Sequence, residues 1–169
     1  SVIGNDKQGD EMINLMKNAG LSDAGIIRSD KRITTTKFRI IGNRMQMLRI
    51  DEEIDTDLDT IDTAAILQRI SGLLNTHKPD VIIFQDYNKG VLSPGVIEAV
   101  SAMADKAGIP VAVDPKKKNF YAYKGITLFK PNLKEVSEGL KIEVNPLSAE
   151  SLQEAADVLH LSQDVRMVM

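Results

Sequence analysis

The chain has 169 residues, 43% hydrophobic, 27% charged and 4% aromatic, a composition typical of a folded domain. It has no cysteine and two histidines, which excludes disulfides, thiolate catalysis and cysteine-bound metals. A net charge of −3 and the absence of tryptophan argue against a nucleic-acid partner. Its apolar runs fall far short of the ~20 residues of a membrane span, and its start does not resemble a signal peptide. We therefore expect no membrane partner and a cytoplasmic location.

The chain opens with the pattern of a capped helix. Asn5 or Asp6 can cap it, and Gly20 can end it. Apolar residues recur at i, i+3, i+4 and i+7, which predicts a stripe that faces the core: Met12, Leu15, Met16 and Ala19.

A β-hairpin is predicted next. Two β-rich runs, 34–41 and 45–50, are joined through Gly42-Asn43, a pair that tolerates positive φ. The following segment, 51–62, holds seven acids and no base, and we interpret it as a solvated connection. Exposed hairpins are natural edges for pairing, so a homodimer formed through this hairpin is a hypothesis.

The rest of the chain alternates between strand and helix patterns. After a helix with Ile66, Ile70, Leu73 and Leu74 on one face, strands are predicted at 81–84, 111–113, 126–129 and 165–169, and helices at 94–107, 133–140 and 148–161. The first of these strands is continuously apolar, which predicts burial on both faces. Such alternation predicts right-handed crossovers and a doubly wound, mostly parallel α/β sheet.

Polar residues follow three of these strands, as Asp86 to Lys89, Asp114 to Lys116, and Lys130 to Asn132 with Glu135. Because the carboxyl ends of parallel strands meet at one edge of a sheet, we expect these residues to line one rim. Lysines suit phosphate, and carboxylate and amide oxygens suit sugar hydroxyls or hydrated magnesium. The structural alternative is that Asn132 caps its helix and that the lysines are simply solvated. P-loop and dinucleotide-binding glycine motifs are absent.

Three strings resemble those of ribokinase-like (PfkB) carbohydrate kinases: residues 86–93 (Asp-Tyr-Asn-Lys-Gly-Val-Leu-Ser), 114–116 (Asp-Pro-Lys) and 130–135 (Lys-Pro-Asn-Leu-Lys-Glu). More narrowly, the chain resembles the kinase half of the bifunctional ADP-heptose synthesis proteins, whose lid region is similar to residues 34–39 and 46–51. The family's early Gly-x-Asp-x-x-Gly segment is similar to residues 4–9. The likeness spans nearly the whole chain.

The resemblance implies transfer of the γ-phosphoryl group of ATP to a sugar phosphate in the presence of Mg²⁺. The implied substrate is D-glycero-β-D-manno-heptose 7-phosphate, and the product is the 1,7-bisphosphate of lipopolysaccharide-core synthesis. It also implies that Lys37 and Arg39 approach the sugar phosphate and that Asp86 and Lys89 line the substrate cleft. The remaining implied roles concern nucleotide phosphate and, indirectly, magnesium: Lys116 for phosphate, and Asn132 and Glu135 for both.

The family's late Gly-Ala-Gly-Asp motif, which supplies the anion hole and the catalytic base, has no counterpart here, and neither has its early glycine-rich sugar-binding segment. We therefore expect residues 1–169 to be a partial kinase domain, truncated at both ends, with residues 33–51 as a lid. No catalytic residue is assigned within it, and we expect it to be inactive alone.

Two other functions are compatible with the pattern. A phosphoacceptor signalling domain can also carry Asp and Lys at strand ends, but the hairpin would then be unexplained. A noncatalytic sugar-binding module is the third interpretation. Labelling of Asp86 or Asp114 by acetyl phosphate would favour the first alternative, and sugar-phosphate binding without ATP consumption would favour the second.

Overall fold

The computed structural model describes all 169 residues. It contains eight strands, five α-helices and a 3-10 helix at Lys117–Asn119: β1 Val2–Gly4, α1 Lys7–Asn18, β2 Ile27–Ser29, β3 Thr36–Gly42, β4 Met45–Glu52, α2 Thr60–His77, β5 Ile82–Gln85, α3 Pro94–Ala107, β6 Val111–Asp114, β7 Leu128–Phe129, α4 Leu133–Leu140, α5 Ala149–Gln163 and β8 Met167–Val168. They form two compact units. The first comprises Ser1–Ile70 with Lys89–Val91, and the second comprises Ser71–Asn88 with Leu92–Met169. No helix is both long enough and apolar enough to cross a bilayer.

The first unit contains a two-stranded parallel sheet of β1 and β2 and the capped helix α1. The side chain of Asp6 accepts a hydrogen bond from the backbone N–H of Gly9 at 2.7 Å, so the predicted cap is confirmed. The predicted core stripe of α1 is wrong, because Leu15 is 62% exposed and Ala19 is also exposed. The buried cluster of this unit is instead formed by Ile27, Leu58 and Ile66.

The predicted hairpin is confirmed as the antiparallel pair β3 and β4. Its turn residues Asn43 and Arg44 have positive φ values of 51° and 62°. Successive side chains of a strand point to opposite faces, and the pairing register therefore gives the hairpin two different faces. The basic face carries Lys37, Arg39, Arg49 and Asp51, and the apolar face carries Phe38, Ile40, Leu48 and Ile50. The apolar side chains are 46–50% exposed.

The second unit is built on a four-stranded parallel sheet in the order β5-β6-β7-β8. Helix α3 connects β5 to β6; Ser93 caps its start, and Gly108, with a φ of 68°, ends it. The predicted strand–helix alternation is thereby confirmed. The predicted burial of both faces of the first strand is wrong, because Ile83 is 63% exposed on β5, an edge strand of this sheet.

Aromatic side chains fill the core of the second unit next to the strand ends. Phe120 and Phe129 meet edge to face, with ring centroids 5.2 Å apart, and Phe84 lies 5.8 Å from Tyr123. All four side chains are at most 4% exposed. This packing fixes the segment that follows β6 beneath the rim of the sheet.

Candidate functional site

The carboxyl ends of β5, β6 and β7 lie side by side, as the sequence predicts. Gln85 at the end of β5 is paired with Asp114 at the end of β6, and Val113 of β6 is paired with Phe129 of β7. Lys130 continues the alignment by donating its backbone N–H to the carbonyl of Val113 at 2.9 Å. The polar residues that follow these three strands therefore share one edge of one sheet, which we call the rim.

Lys116 is the centre of the charges at the rim. Its Nζ lies 2.5 Å from Oε1 of Glu135 and 3.5 Å from Oδ1 of Asp114. Gln85 donates a hydrogen bond to the other oxygen of Asp114 at 2.7 Å. Burial opposes the charge of Lys116, but the hydrogen bond and charge of Glu135, together with Asp114, outweigh it and raise the pKa of Lys116. Lys116 is therefore a cation held by two carboxylates.

Asn132 and Glu135 form a capping box at the start of α4. Oδ1 of Asn132 accepts the N–H of Glu135 at 2.9 Å, and Oε2 of Glu135 accepts the N–H of Asn132 at 2.8 Å. The structural role foreseen for Asn132 is thus present, and it places both residues at the rim. The side chain of Asn132 is exposed to solvent, whereas Glu135 is buried, with 8% of its surface exposed.

The rim does not fit direct coordination of a metal ion. Both oxygens of Glu135 are already engaged, one by Lys116 and one by the backbone of Asn132. No group of three histidine, aspartate or glutamate side chains is arranged to hold a cation. The indirect role of Asn132 and Glu135 in placing magnesium, through its bound water, stays a prediction.

Asp86 is buried beneath the rim and is only 1% exposed. Its carboxyl group accepts hydrogen bonds from the hydroxyl of Tyr123 at 2.8 Å, from the amide of Asn119 at 3.1 Å and from the N–H of Asn88 at 2.7 Å. Burial, together with the bond to Asp86, raises the pKa of Tyr123 well above its ordinary value. Asp86 thus fixes the loop after β5, and its predicted contact with substrate stays a prediction.

The other predicted substrate residues lie in the first unit, at the base of the hairpin. Lys37 and Arg49 both bind Asp51, with Lys37 Nζ 3.1 Å from Oδ2 and Arg49 Nε 2.9 Å from Oδ1. Hydrogen bonds from Arg49 and Lys37 hold the pKa of Asp51 well below its usual range. Arg39 has no such partner and lies directly opposite Arg49 in the register. Like charges in directly opposite positions repel, and of the two arginines Asp51 compensates the charge of Arg49 only.

Glu53 links Lys37 to Lys89. Nζ of Lys37 lies 3.6 Å from Oε2 of Glu53, and Nζ of Lys89 donates to Oε1. The hydrogen bond from Lys89, with the charges of both lysines, lowers the pKa of Glu53 against the opposing effect of burial. The structure thus brings Lys37 and Lys89 together.

The acidic segment 51–62 is not the uniformly solvated connection that we expected. Leu58 and Asp62 are both 9% exposed, and Ser29 donates a hydrogen bond to Asp62 at 2.5 Å. At the other end, Asp51 and Glu53 bind lysines. The prediction failed because a run of acids shows charge but does not show which basic residues fold onto it.

Arg32 is a supporting residue that the sequence did not reveal. Its guanidinium donates to the carbonyls of Thr56 at 3.0 Å, Ile54 at 2.7 Å and Lys89 at 2.8 Å. The adjoining Gly90 has a φ of 75°, and a Cβ there would lie 1.8 Å from the Thr56 carbonyl oxygen. This close approach holds Lys89 in place. Gly90 could have indicated a close backbone contact beside Lys89. The role of Arg32 could not be predicted, because its partners are distant in sequence.

Solved structures share this fold along almost the entire chain. Phosphofructokinase-2 from Escherichia coli in complex with potassium superposes with a TM-score of 0.72 at 15% identity, over 99% of this chain and 52% of the enzyme. Ribokinase from Arabidopsis thaliana, complexed with ribose and ATP, gives 0.67 at 15% identity over 99% and 52%. The chain therefore has a ribokinase-like α/β fold, as the sequence predicts.

Comparison of the sequence with curated proteins identifies more similar relatives than the solved structures do. The bifunctional protein HldE of Methylobacillus flagellatus is 37% identical over 158 residues, and HldE of a Caulobacter species (strain K31) is 39% identical over 158 residues. These matches cover 94% of this chain but only 32% and 31% of the relatives, so the chain spans about a third of their length. No family model matches. The resemblance to ribokinase-like sugar kinases, and among them to HldE, is confirmed.

Proposed function

We propose that this chain is part of an ATP-dependent kinase that phosphorylates a sugar phosphate. The observation that carries the proposal is the pair of lysine-containing sites, one at the rim around Lys116 and one at the base of the hairpin around Lys37 and Lys89. A phosphoryl transfer between two phosphorylated molecules needs positive charge for each of them. The similarity to HldE and the ribokinase-like fold support the same activity.

The proposed acceptor is D-glycero-β-D-manno-heptose 7-phosphate, which would be converted to the 1,7-bisphosphate for lipopolysaccharide-core synthesis. The sequence similarity to HldE supports this choice of sugar. Lys37, Arg39 and Lys89 would hold the 7-phosphate, and Asp86 would hold the loop that carries Asn88 at the rim. Because ATP is a cytoplasmic metabolite, we place the reaction in the cytoplasm.

The nucleotide is assigned to the rim. Lys116 would exchange Glu135 for a phosphate oxygen of ATP, and Asn132 would keep the α4 N-terminus directed at the same group. Mg²⁺ would arrive with the nucleotide and neutralise its phosphates. Asp86 is a poor general base because it is buried and already accepts three hydrogen bonds. The base is therefore sought outside these 169 residues, and we expect this chain to bind ligands without turning them over.

The test is a coupled ATPase assay on the whole protein that contains this chain. We expect ADP release that depends on the heptose 7-phosphate, with Lys116→Met lowering kcat/KM for ATP and Lys37→Met lowering it for the sugar. Lys106→Met is the matched control, because Lys106 is an exposed lysine at the end of α3. ATP consumption that ignores the sugar phosphate would refute the proposal.

A homodimer through the hairpin is the proposed assembly. The apolar face of Phe38, Ile40, Leu48 and Ile50 is about half exposed, and contact with the same face of a second copy would remove it from water. Light scattering is expected to give twice the monomer mass for the wild type and the monomer mass for Ile40→Asp. A monomeric wild type at micromolar concentration would exclude this assembly.

A further inference from the structure

Two carboxylates at the base of the hairpin are held very differently. Asp51 accepts three hydrogen bonds, one from Lys37 and two from Arg49, which use both of its oxygens. Glu53 accepts one, from Lys89, and its Oε2 is buried without a hydrogen bond. Its ion-pair partner Lys37 lies 3.6 Å away, beyond hydrogen-bond distance, and a buried carboxylate oxygen without a hydrogen bond is destabilising. Glu53 is therefore the weaker anchor of the two.

The backbone around Glu53 is fixed independently of its side chain. The single guanidinium of Arg32 binds the carbonyls of Ile54 and Thr56 on one side and of Lys89 on the other. Leu58 adds a further bond by donating its N–H to the carbonyl of Gly90 at 3.1 Å. The side chain of Glu53 can thus leave its lysines while the two backbone segments keep their positions.

The charges favour replacement of Glu53 by a stronger anion. Lys89 has Glu53 as its carboxylate partner, whereas Lys37 keeps Asp51 when Glu53 leaves. Phosphate offers more acceptor oxygens and up to two charges, so it can bind both ammonium groups at once. A released glutamate side chain also gains conformational entropy, which further favours the replacement of Glu53 by phosphate.

We propose that Glu53 is an internal substitute for the substrate phosphate, which binds Lys37 and Lys89 in the empty site and is displaced when the phosphate enters. This role rests on the proposed function, and it makes Glu53 a positioning residue that sets phosphate affinity. A neutral side chain at this position removes the competitor and leaves Lys37 and Lys89 free to bind the anion.

The experiment is calorimetric titration of the full 169-residue chain with inorganic phosphate at constant ionic strength. Glu53→Gln is expected to bind phosphate about twofold to fivefold more tightly than the wild type, the range set by the strength of a partly exposed ion pair. Lys89→Met should bind more weakly than the wild type. Asp10→Asn is the matched control, because it removes one negative charge and one ion pair, to Arg28, elsewhere in the same unit. Its affinity should equal that of the wild type.

Each result has a distinct meaning. Equal or weaker phosphate binding by Glu53→Gln, in a variant with wild-type thermal stability, would overturn the role of Glu53 while leaving the proposed kinase intact. If Lys37→Met and Lys89→Met bind phosphate as the wild type does, the assignment of the hairpin as the sugar-phosphate site fails as well. If Glu53→Gln and Asp10→Asn gain phosphate affinity equally, the gain is caused by the change in net charge alone, and the proposal is also overturned.

Discussion

The rim and the hairpin both carry basic and acidic side chains, but those of the rim are partly buried and those of the hairpin are exposed. At the rim, Asp86 and Glu135 are buried and bound by groups of their own unit, so each residue has a structural role as well as any role toward a ligand. On the hairpin, Arg39 and Arg49 are exposed on a two-stranded ribbon, and Arg39 has no partner. Substitutions at the rim should therefore mainly lower the free energy of unfolding, whereas substitutions on the hairpin should mainly lower the affinity for ligand.

The largest effect is expected from Asp86→Ala. It removes the acceptor of Tyr123 and Asn119, which are both buried, and should cost about 3 kcal/mol of unfolding free energy. Urea denaturation measures this loss. Asp105→Ala, on the exposed side of α3 in the same unit, is the control and should change stability by less than about 0.5 kcal/mol. Equal losses in the two variants would show that the hydrogen bonds of Tyr123 and Asn119 to Asp86 do not stabilise the fold.

A medium effect is expected at the capping box. Asn132→Ala should lose about 1 kcal/mol because the N–H of Glu135 loses its acceptor, whereas Asn132→Asp should stay within a few tenths of the wild type. Urea denaturation of both variants separates the cap from the ligand role. If Asn132→Asp restores stability but not ATP affinity in the whole protein, the amide has a second role at the rim. Restoration of both would leave Asn132 as a cap only.

The smallest effect is expected from Asp51→Asn, and it depends on pH. Since Arg49 and Lys37 hold the folded pKa of Asp51 below its ordinary value of 3.8, its stabilisation is fully present above that pH and is lost as the pH falls through the lower folded pKa. The melting temperature of the wild type should therefore fall more steeply between about pH 5 and pH 2 than that of the variant. Parallel curves would mean that the ion pairs on the hairpin do not stabilise the fold.

Much of this contrast could be predicted from the sequence. The Gly-Asn turn and alternating pattern predicted the hairpin, and the alternation of apolar runs with helices predicted that β5, β6 and β7 end at one edge. The cap by Asn132 was foreseen because helix N-caps follow a local pattern, whereas the part of Glu135 in the capping box was not predicted.

What the sequence could not reveal depends on contacts between distant residues. Glu53 and Lys89 are 36 positions apart, and Asp86 and Tyr123 are 37 apart, so no local pattern pairs them. The exposed Ile83 and Leu15 were misjudged because periodicity identifies an apolar face but not whether another element covers it.

The central claim is that Lys37 of the hairpin and Lys89, which share Glu53, recognise the phosphate of the sugar substrate. Calorimetric titration of the 169-residue chain with heptose 7-phosphate and with the unphosphorylated heptose tests it most directly. We predict that the phosphorylated sugar binds at least about tenfold more tightly and that Lys37→Met combined with Lys89→Met abolishes this advantage. Equal affinities for the two sugars in the wild-type chain would contradict the account.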